Sequence, residues 1–143
     1  MTEQQTIRVG VGCLVFKDGK LLLGKRIDDS HGDGEWTCGG GHVDFMENLA
    51  ETAKREIEEE WGIKISDPEF LCVTNLKKYS GKHYIDIGFK ANWVSGDPNP
   101  QSEGEFSEFG WYELDKLPSP LFGVVPNYIT AMQTQKPYFE TSK

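Results

Sequence analysis

Cysteine is scarce. Cys13, Cys38 and Cys72 stand far apart in a chain of 143 residues, with no C-x-x-C pair among them. An odd, scattered set excludes a disulfide framework and a zinc-ribbon site, and it reads as buried thiols in a reducing compartment. Long apolar runs are missing too. The longest, from Val9 to Phe16, has eight residues and contains Gly10 and Gly12, too short for a bilayer-spanning helix. The first twenty residues lack an apolar core behind a basic start, so no secretory leader is expected. Positive charge is in deficit, with 15 Lys+Arg against 23 Asp+Glu and a formal net charge of −8. Such a balance repels phosphodiester backbones and disfavours a nucleic-acid polymer as partner. What is abundant is bulky apolar surface, with eight Phe, five Tyr and four Trp, enough for a packed core in a chain long enough for one domain. The expectation is a cytoplasmic single-domain protein without a membrane partner.

The negative charge is concentrated. Between Asp44 and Glu60, seven carboxylates (Asp44, Glu47, Glu51, Glu56, Glu58, Glu59 and Glu60) face two cations, Lys54 and Arg55. The stretch also reads as a helix. Asn48 with Glu51 has the spacing of a capping box, and Gly62 sits where a left-handed cap would end it. Leu49, Ala53 and Ile57 form an apolar stripe flanked by Ala50 and Trp61. Glu56, Glu59 and Glu60 share one side of that helix, and Glu60 projects almost into the stripe. Carboxylates about 6 Å apart repel by roughly 0.7 kcal/mol in water and about 3 kcal/mol at an effective dielectric near 20. Arg55 can relieve Glu59 or Glu51, but no helix cation is expected to serve Glu56 or Glu60. A solvated acidic face is the plain reading; the half-buried place of Glu60 favours a bound hard cation, Mg²⁺ or Mn²⁺. Just upstream, Cys38-Gly39-Gly40-Gly41-His42 is a glycine loop able to present carbonyls to a metal and amides to a phosphate. No Lys-Ser/Thr follows it, so it is not a P-loop.

Gly41, five residues, Glu47, seven residues, then Arg55-Glu56-Ile57-Glu58-Glu59-Glu60-Trp61-Gly62-Ile63 fills every fixed position of Gx5Ex7REUxEExGU, the Nudix box. Outside the box the chain resembles the MutT-like nucleoside-triphosphate diphosphatases of that superfamily from about Arg8 to Met132, through segments such as Leu23-Gly24-Lys25-Arg26 and Gly40-Gly41-His42-Val43-Asp44. The resemblance implies one Nudix domain over residues 1–143 with its core at about 6–135, and an α/β (α+β) fold with a mixed sheet sandwiched between helices. It implies Glu56 and Glu60 as principal metal ligands, Glu59 as a further ligand or general base, and Gly40 as a backbone-carbonyl ligand. Gly41, Glu47, Arg55 and Gly62 are structural in the box, with Glu47 the expected partner of Arg55. Arg26 resembles a phosphate-binding arginine, while Gly41 and His42 would adjoin the phosphates. Phe122-Gly123-Val124 resembles the segment that holds the nucleobase. Asp44 stands where Glu is more usual and Met46 where Gly often precedes the first box Glu. The implied activity is Mg²⁺-dependent hydrolysis of a (d)NTP to the monophosphate and pyrophosphate. The alternatives are ADP-ribose, a nucleotide sugar or a dinucleoside polyphosphate as substrate, or a non-catalytic nucleotide sensor. A homodimer is a family expectation only.

The remaining chain reads as strands at Thr6–Phe16 and Lys20–Arg26 around an Asp18-Gly19 turn, and at Phe70–Leu76 and Lys82–Trp93 around Ser80-Gly81. Alternation along the last of these predicts a half-buried strand, with Tyr84, Asp86 and Gly88 on its polar side. Ile27–Glu35, including Asp29, reads as a loop at the site's mouth. Phe106–Tyr112 reads as a strand after a loop at Asp97–Gly104, and Leu121–Gln135 as a helical region with Pro126 near its start. His31, His42 and His83 show no metal spacing and read as surface or loop residues. Trp36, Trp93, Phe109 and Trp111 read as core. Glu103, Glu105 and Glu108 lie where an additional ligand or base could sit, and spacing does not choose among them. Tyr79, in a hairpin turn, is a weak pointer to the dinucleoside class.

Overall fold

The turn at Asp18-Gly19 has both residues at positive φ (52° and 78°), the geometry that matches the twist of a tight hairpin. It joins β1 (Arg8–Lys17) to β2 (Lys20–Arg26). The computed structural model describes residues 5–28, 30–101 and 105–141. Further elements follow in chain order: β3 (Trp36–Thr37), β4 (Gly40–His42), α1 (Leu49–Trp61), β5 (Lys64–Ile65), β6 (Glu69–Leu76), β7 (Tyr84–Ser95), β8 (Phe106–Glu113), α2 (Val125–Thr134) and β9 (Tyr138–Thr141). The fold is α+β: a mixed sheet runs β3-β2-β1-β7-β6-β9, with β4 on β1, β5 on β7 and β8 on β2. Its centre is the parallel pair β1–β7, in register from Arg8↔Tyr84 to Phe16↔Asn92.

Two cores lie on opposite faces of that pair. Val11, Cys13 and Val15 of β1, with Ile87 and Phe89 of β7, pack under Ala53, Ile57 and Trp61 of α1. Leu14, with Leu21, Leu23, Cys72 and Leu76, packs under Val125 and Tyr128 of α2. Each large apolar side chain so buried contributes about 1.5–3 kcal/mol. Gly12 and Gly88, paired across the parallel strands, admit the Tyr128 ring against the sheet. A Cβ on either would lie 2.6 Å or 2.4 Å from Tyr128.

Several expectations change. The β7 strand is buried on both faces through its middle, Asp86 and Gly88 included, because α2 covers the side that alternation assigns to solvent. Asn48 makes no side-chain cap; its Nδ2 donates to Glu51 instead (3.2 Å). Leu49 and Phe109 are exposed, and Thr52 takes the buried place on α1. The C-terminal helix begins only at Val125, and the glycine run forms a short strand, β4, rather than a free loop. Gly62 does close α1 in the left-handed conformation (φ 69°). The three cysteines are free and buried. No helix among the described residues is long and apolar enough to cross a membrane.

Candidate active site

Glu56, Glu59 and Glu60 leave α1 on one side but reach three environments. Glu60 turns into the cleft beneath β4, where the Gly40 N–H donates to Oε1 at 2.9 Å and Glu105 arrives from just ahead of β8. Burial, then Glu105 beside it, pushes the Glu60 carboxyl up to about 9. Glu56 stands behind Gly41, and burial raises its carboxyl although Arg55 Nη1 donates to it at 3.1 Å. Glu59 points outward, with its side chain 61% exposed and bonded to Arg55 at 3.3 Å. It lines a separate outer groove with Glu51, Lys54 and Lys64. Arg55 therefore does supply Glu56 with a cation, contrary to the expectation from helix spacing.

The guanidinium is the hub of the box. It grips Glu47 with two bonds, Nε to Oε2 at 2.8 Å and Nη2 to Oε1 at 2.9 Å, and also reaches Asp44 at 3.3 Å. That fork holds the Glu47 carboxyl down at about 2. Each glycine of the run meets an obstacle a side chain would strike. A Cβ on Gly39, at φ 95°, would lie 2.6 Å from Glu60 Oε1; on Gly40, 1.9 Å from the Val11 carbonyl; on Gly41, 2.4 Å from Glu56 Cδ. Backbone thus approaches both carboxylates closely. The Trp61 indole braces the turn from below, donating to the Cys38 carbonyl at 3.1 Å and stacking on Phe106 at 4.7 Å.

This corner opens into a pocket of about 420 Å³, within the size range of small-molecule sites. Gly40, Gly41, Glu60 and Glu105 line one part; Arg8, Arg26 and Lys82 bring cations; His31, Tyr84 and Phe122 supply rings. Arg26 donates to Asp28 (2.6 Å) and the His31 carbonyl (3.3 Å), while its Nε is buried without a partner. Phe122 does line the pocket, but its ring is engaged by Arg26 (4.6 Å) and Tyr79 (5.1 Å), so it belongs to a wall rather than standing as a free stacking platform. Gly123 is turned away, its N–H donating to the Tyr79 hydroxyl at 2.8 Å. His42 stacks on Tyr84 at the rim (5.6 Å).

Of the three late glutamates, Glu105 joins Glu60; Glu108 pairs in register with Lys25 of β2, and Glu103 lies outside the described residues, as does Asp29. His31, expected as a surface or loop residue, lies in the β2–β3 loop and packs beside Tyr79 and Phe122. Sequence reasoning missed Asp86 and Tyr128 as site residues, and read Tyr79 only as a weak pointer to the dinucleoside class. Asp86 is buried, accepts the Tyr128 hydroxyl and is pushed up to about 7 by burial. An aspartate in the middle of an apolar strand was the available signal. The Tyr79 hydroxyl donates to Glu35 at 2.5 Å, a contact across 44 residues that no local pattern announces.

The carboxylates can be tested against a divalent ion by their own chemistry. Glu60 and Glu105 are two acids pressed together, with no Lys or Arg bonded to either among the described residues. Such a pair must share a proton or accept a cation, and oxygen donors suit Mg²⁺ or Mn²⁺. The donor set fits, although among the described residues no three His, Cys, Asp or Glu are gathered as a ready-made ligand cluster.

The model of the NUDIX domain matches residues 6–133. The chain belongs to the NUDIX family. The MutT NUDIX hydrolase of Burkholderia pseudomallei is 34% identical and superposes with a TM-score of 0.80 over 91% of this chain and 99% of that one. A NAD-capped RNA hydrolase of Stutzerimonas stutzeri is 27% identical over 74% of this chain but only 36% of its own length. An oxidized purine nucleoside triphosphate hydrolase of Mus musculus is 29% identical over 79% of this chain and 70% of its own. The chain thus spans little more than a third of the length of the NAD-capped RNA hydrolase. Membership in the NUDIX family supports a hydrolase acting on nucleotide phosphoanhydrides.

Proposed function

We propose that this NUDIX protein hydrolyses a nucleoside triphosphate to the monophosphate and pyrophosphate with a divalent ion, Mg²⁺ or Mn²⁺. One observation carries the reading: buried Glu60 meets Glu105 and the Gly40-Gly41 backbone in a pocket also lined by rings and cations, with Glu56 close behind Gly41. Glu56, Glu60 and the Gly40 carbonyl would hold the ion, with Glu59 a further ligand. When bound, the ion neutralises phosphate charge and lowers the pKa of an attacking water. Arg26 and Lys82, which both line the pocket, counter the remaining phosphate charge. Arg55 keeps Glu56 oriented through its grip on Glu47. Glu59 is the candidate base and must leave Arg55 to act; Glu105 already lies against Glu60 and is its rival. The wall around Phe122 would flank the base.

A second reading follows from the relatives named NAD-capped RNA hydrolases: a dinucleotide pyrophosphate as substrate. Incubating the protein with Mg²⁺ and a panel of (d)NTPs, ADP-ribose, NAD and nucleotide sugars, with products identified, decides between them. Pyrophosphate and a monophosphate from a triphosphate support the first reading. Orthophosphate release, or cleavage confined to the dinucleotides, overturns it.

A further inference from the structure

Beyond the carboxylates of the box, the pocket contains one more acid. Asp86 sits on β7 directly across the parallel pair from Gly10 of β1. It is buried, yet it lines the pocket. Its two oxygens are not equivalent. Oδ2 accepts the Tyr128 hydroxyl, itself wholly buried under α2. Oδ1 has no hydrogen-bond partner among the described residues and faces the space above Gly10, 3.7 Å from where a Cβ would stand. The strand therefore presents a carboxylate oxygen, fixed from behind, to the interior of a cavity whose rings suit a planar ligand. An acceptor oxygen that no protein donor engages, on a residue lining the pocket, is available to a donor on the ligand.

We infer that Asp86 reads the base edge of the substrate and selects guanine. Above about pH 7, where the buried Asp86 carboxyl is ionised, it only accepts. On the pairing edge, adenine and cytosine set a ring-nitrogen acceptor beside their amino group, and thymine flanks its one N–H with two keto oxygens. Guanine alone offers two adjacent donors, N1–H and the 2-amino group, with no acceptor between them, and an oxygen with two lone pairs can take both. Oxidation at C8 leaves that edge unchanged, so Asp86 selects guanine with or without such damage. Gly10 serves the same purpose: its missing side chain keeps the space before Oδ1 open, and nothing but the ligand would meet a methyl there closer than 3.7 Å.

The inference rests on the nucleotide-hydrolase reading, and the test separates the two. Binding of dGMP, dAMP, dCMP and dTMP is measured by calorimetry, and kcat/KM for the four dNTPs with Mg²⁺, on the wild type, Asp86→Asn and Gly10→Ala, with melting curves of each. The wild type should bind dGMP best. Asp86→Asn should lose about tenfold or more on guanine, in binding and in kcat/KM, and far less on the other bases, because the amide either sets its donors against guanine's or, turned, offers only an uncharged, weaker acceptor. Gly10→Ala, in unstrained strand backbone, should melt like the wild type and lose the same preference by filling the space. Equal losses on all four bases, or an unchanged guanine preference in both variants, would overturn the role of Asp86 and leave hydrolysis standing. Guanine-selective binding abolished by Asp86→Asn, without turnover of any dNTP, would support Asp86 and sink the hydrolase reading. If Asp86→Asn does not fold, the Gly10→Ala comparison decides.

Discussion

Glu60 lies in a place that suits an acid only when something answers its charge. In the metal-free protein its carboxyl is raised to about 9 by burial and by Glu105, while Asp86 is raised to about 7 by burial. The sign is the same for both. A carboxyl with a folded pKa above its unfolded value contributes fully below the unfolded pKa, and that stability is lost as pH rises to the folded one. For Asp86 the window runs from its ordinary 3.8 to about 7, and a shift of that size corresponds to as much as about 4 kcal/mol. For Glu60 the loss continues to about 9. Urea unfolding in EDTA should therefore show stability falling from pH 5 to pH 9. Asp86→Asn should flatten part of the fall below pH 7 only, and Glu60→Gln should reduce the fall across the whole range and remove it above pH 7. A wild-type curve that rises across this range would contradict both burials. Turnover gives a second check. Glu60→Gln and Glu56→Gln should each lose at least about a hundredfold in kcat while keeping the melting profile of a folded protein. Retention of more than about a tenth of wild-type rate would remove that residue from the ligand set.

At the level of elements, the Arg55 guanidinium helps tie α1 to the chain before it, and the Tyr79 phenol helps join the loops around the pocket. Arg55 makes a two-point fork on Glu47 and single bonds to Glu56, Glu59 and Asp44. A lysine keeps the charge but cannot form the fork. Arg55→Lys should cost about 1–2 kcal/mol in thermal unfolding, weaken metal binding by calorimetry, and lower kcat. An unchanged kcat would show that the carboxylates do not need this orientation. Tyr79 works differently. Its hydroxyl joins Glu35, at the end of the β2–β3 loop, to the Gly123 amide, and its ring stacks on Phe122. Tyr79→Phe keeps the ring and removes the bonds to Glu35 and the Gly123 amide. KM should rise several-fold with kcat nearly intact, read in steady-state kinetics; a selective fall in kcat would place Tyr79 nearer the chemistry than the wall.

Across the whole molecule, what the sequence disclosed follows from how far each interaction reaches. The hairpin at Asp18-Gly19, the left-handed stop at Gly62 and the acid spacing on α1 are encoded within a few residues, and each was legible. The short strands β3, β4, β5 and β9 were not, because β4 exists by pairing with β1 and β9 by pairing with β6. Burial of Asp86 was hidden for the same reason: α2, some forty residues later, covers the face that alternation assigns to water. Glu105 could be named only as one of three until the fold set it beside Glu60. The same division of labour predicts how the protein answers metal removal. Both apolar cores close without any ion, one under α1 and one under α2, so chelation should leave far-ultraviolet circular dichroism unchanged and abolish turnover. An ion that binds only the folded chain stabilises it by RT ln(1 + [L]/Kd), about 2.7 kcal/mol at a hundredfold excess over Kd. Restoring Mg²⁺ should thus raise the melting temperature by several degrees, and Glu60→Gln should cancel most of that rise. Unfolding on chelation would instead make the ion part of the core. An equal rise in Glu60→Gln would put the ion elsewhere on this acidic surface.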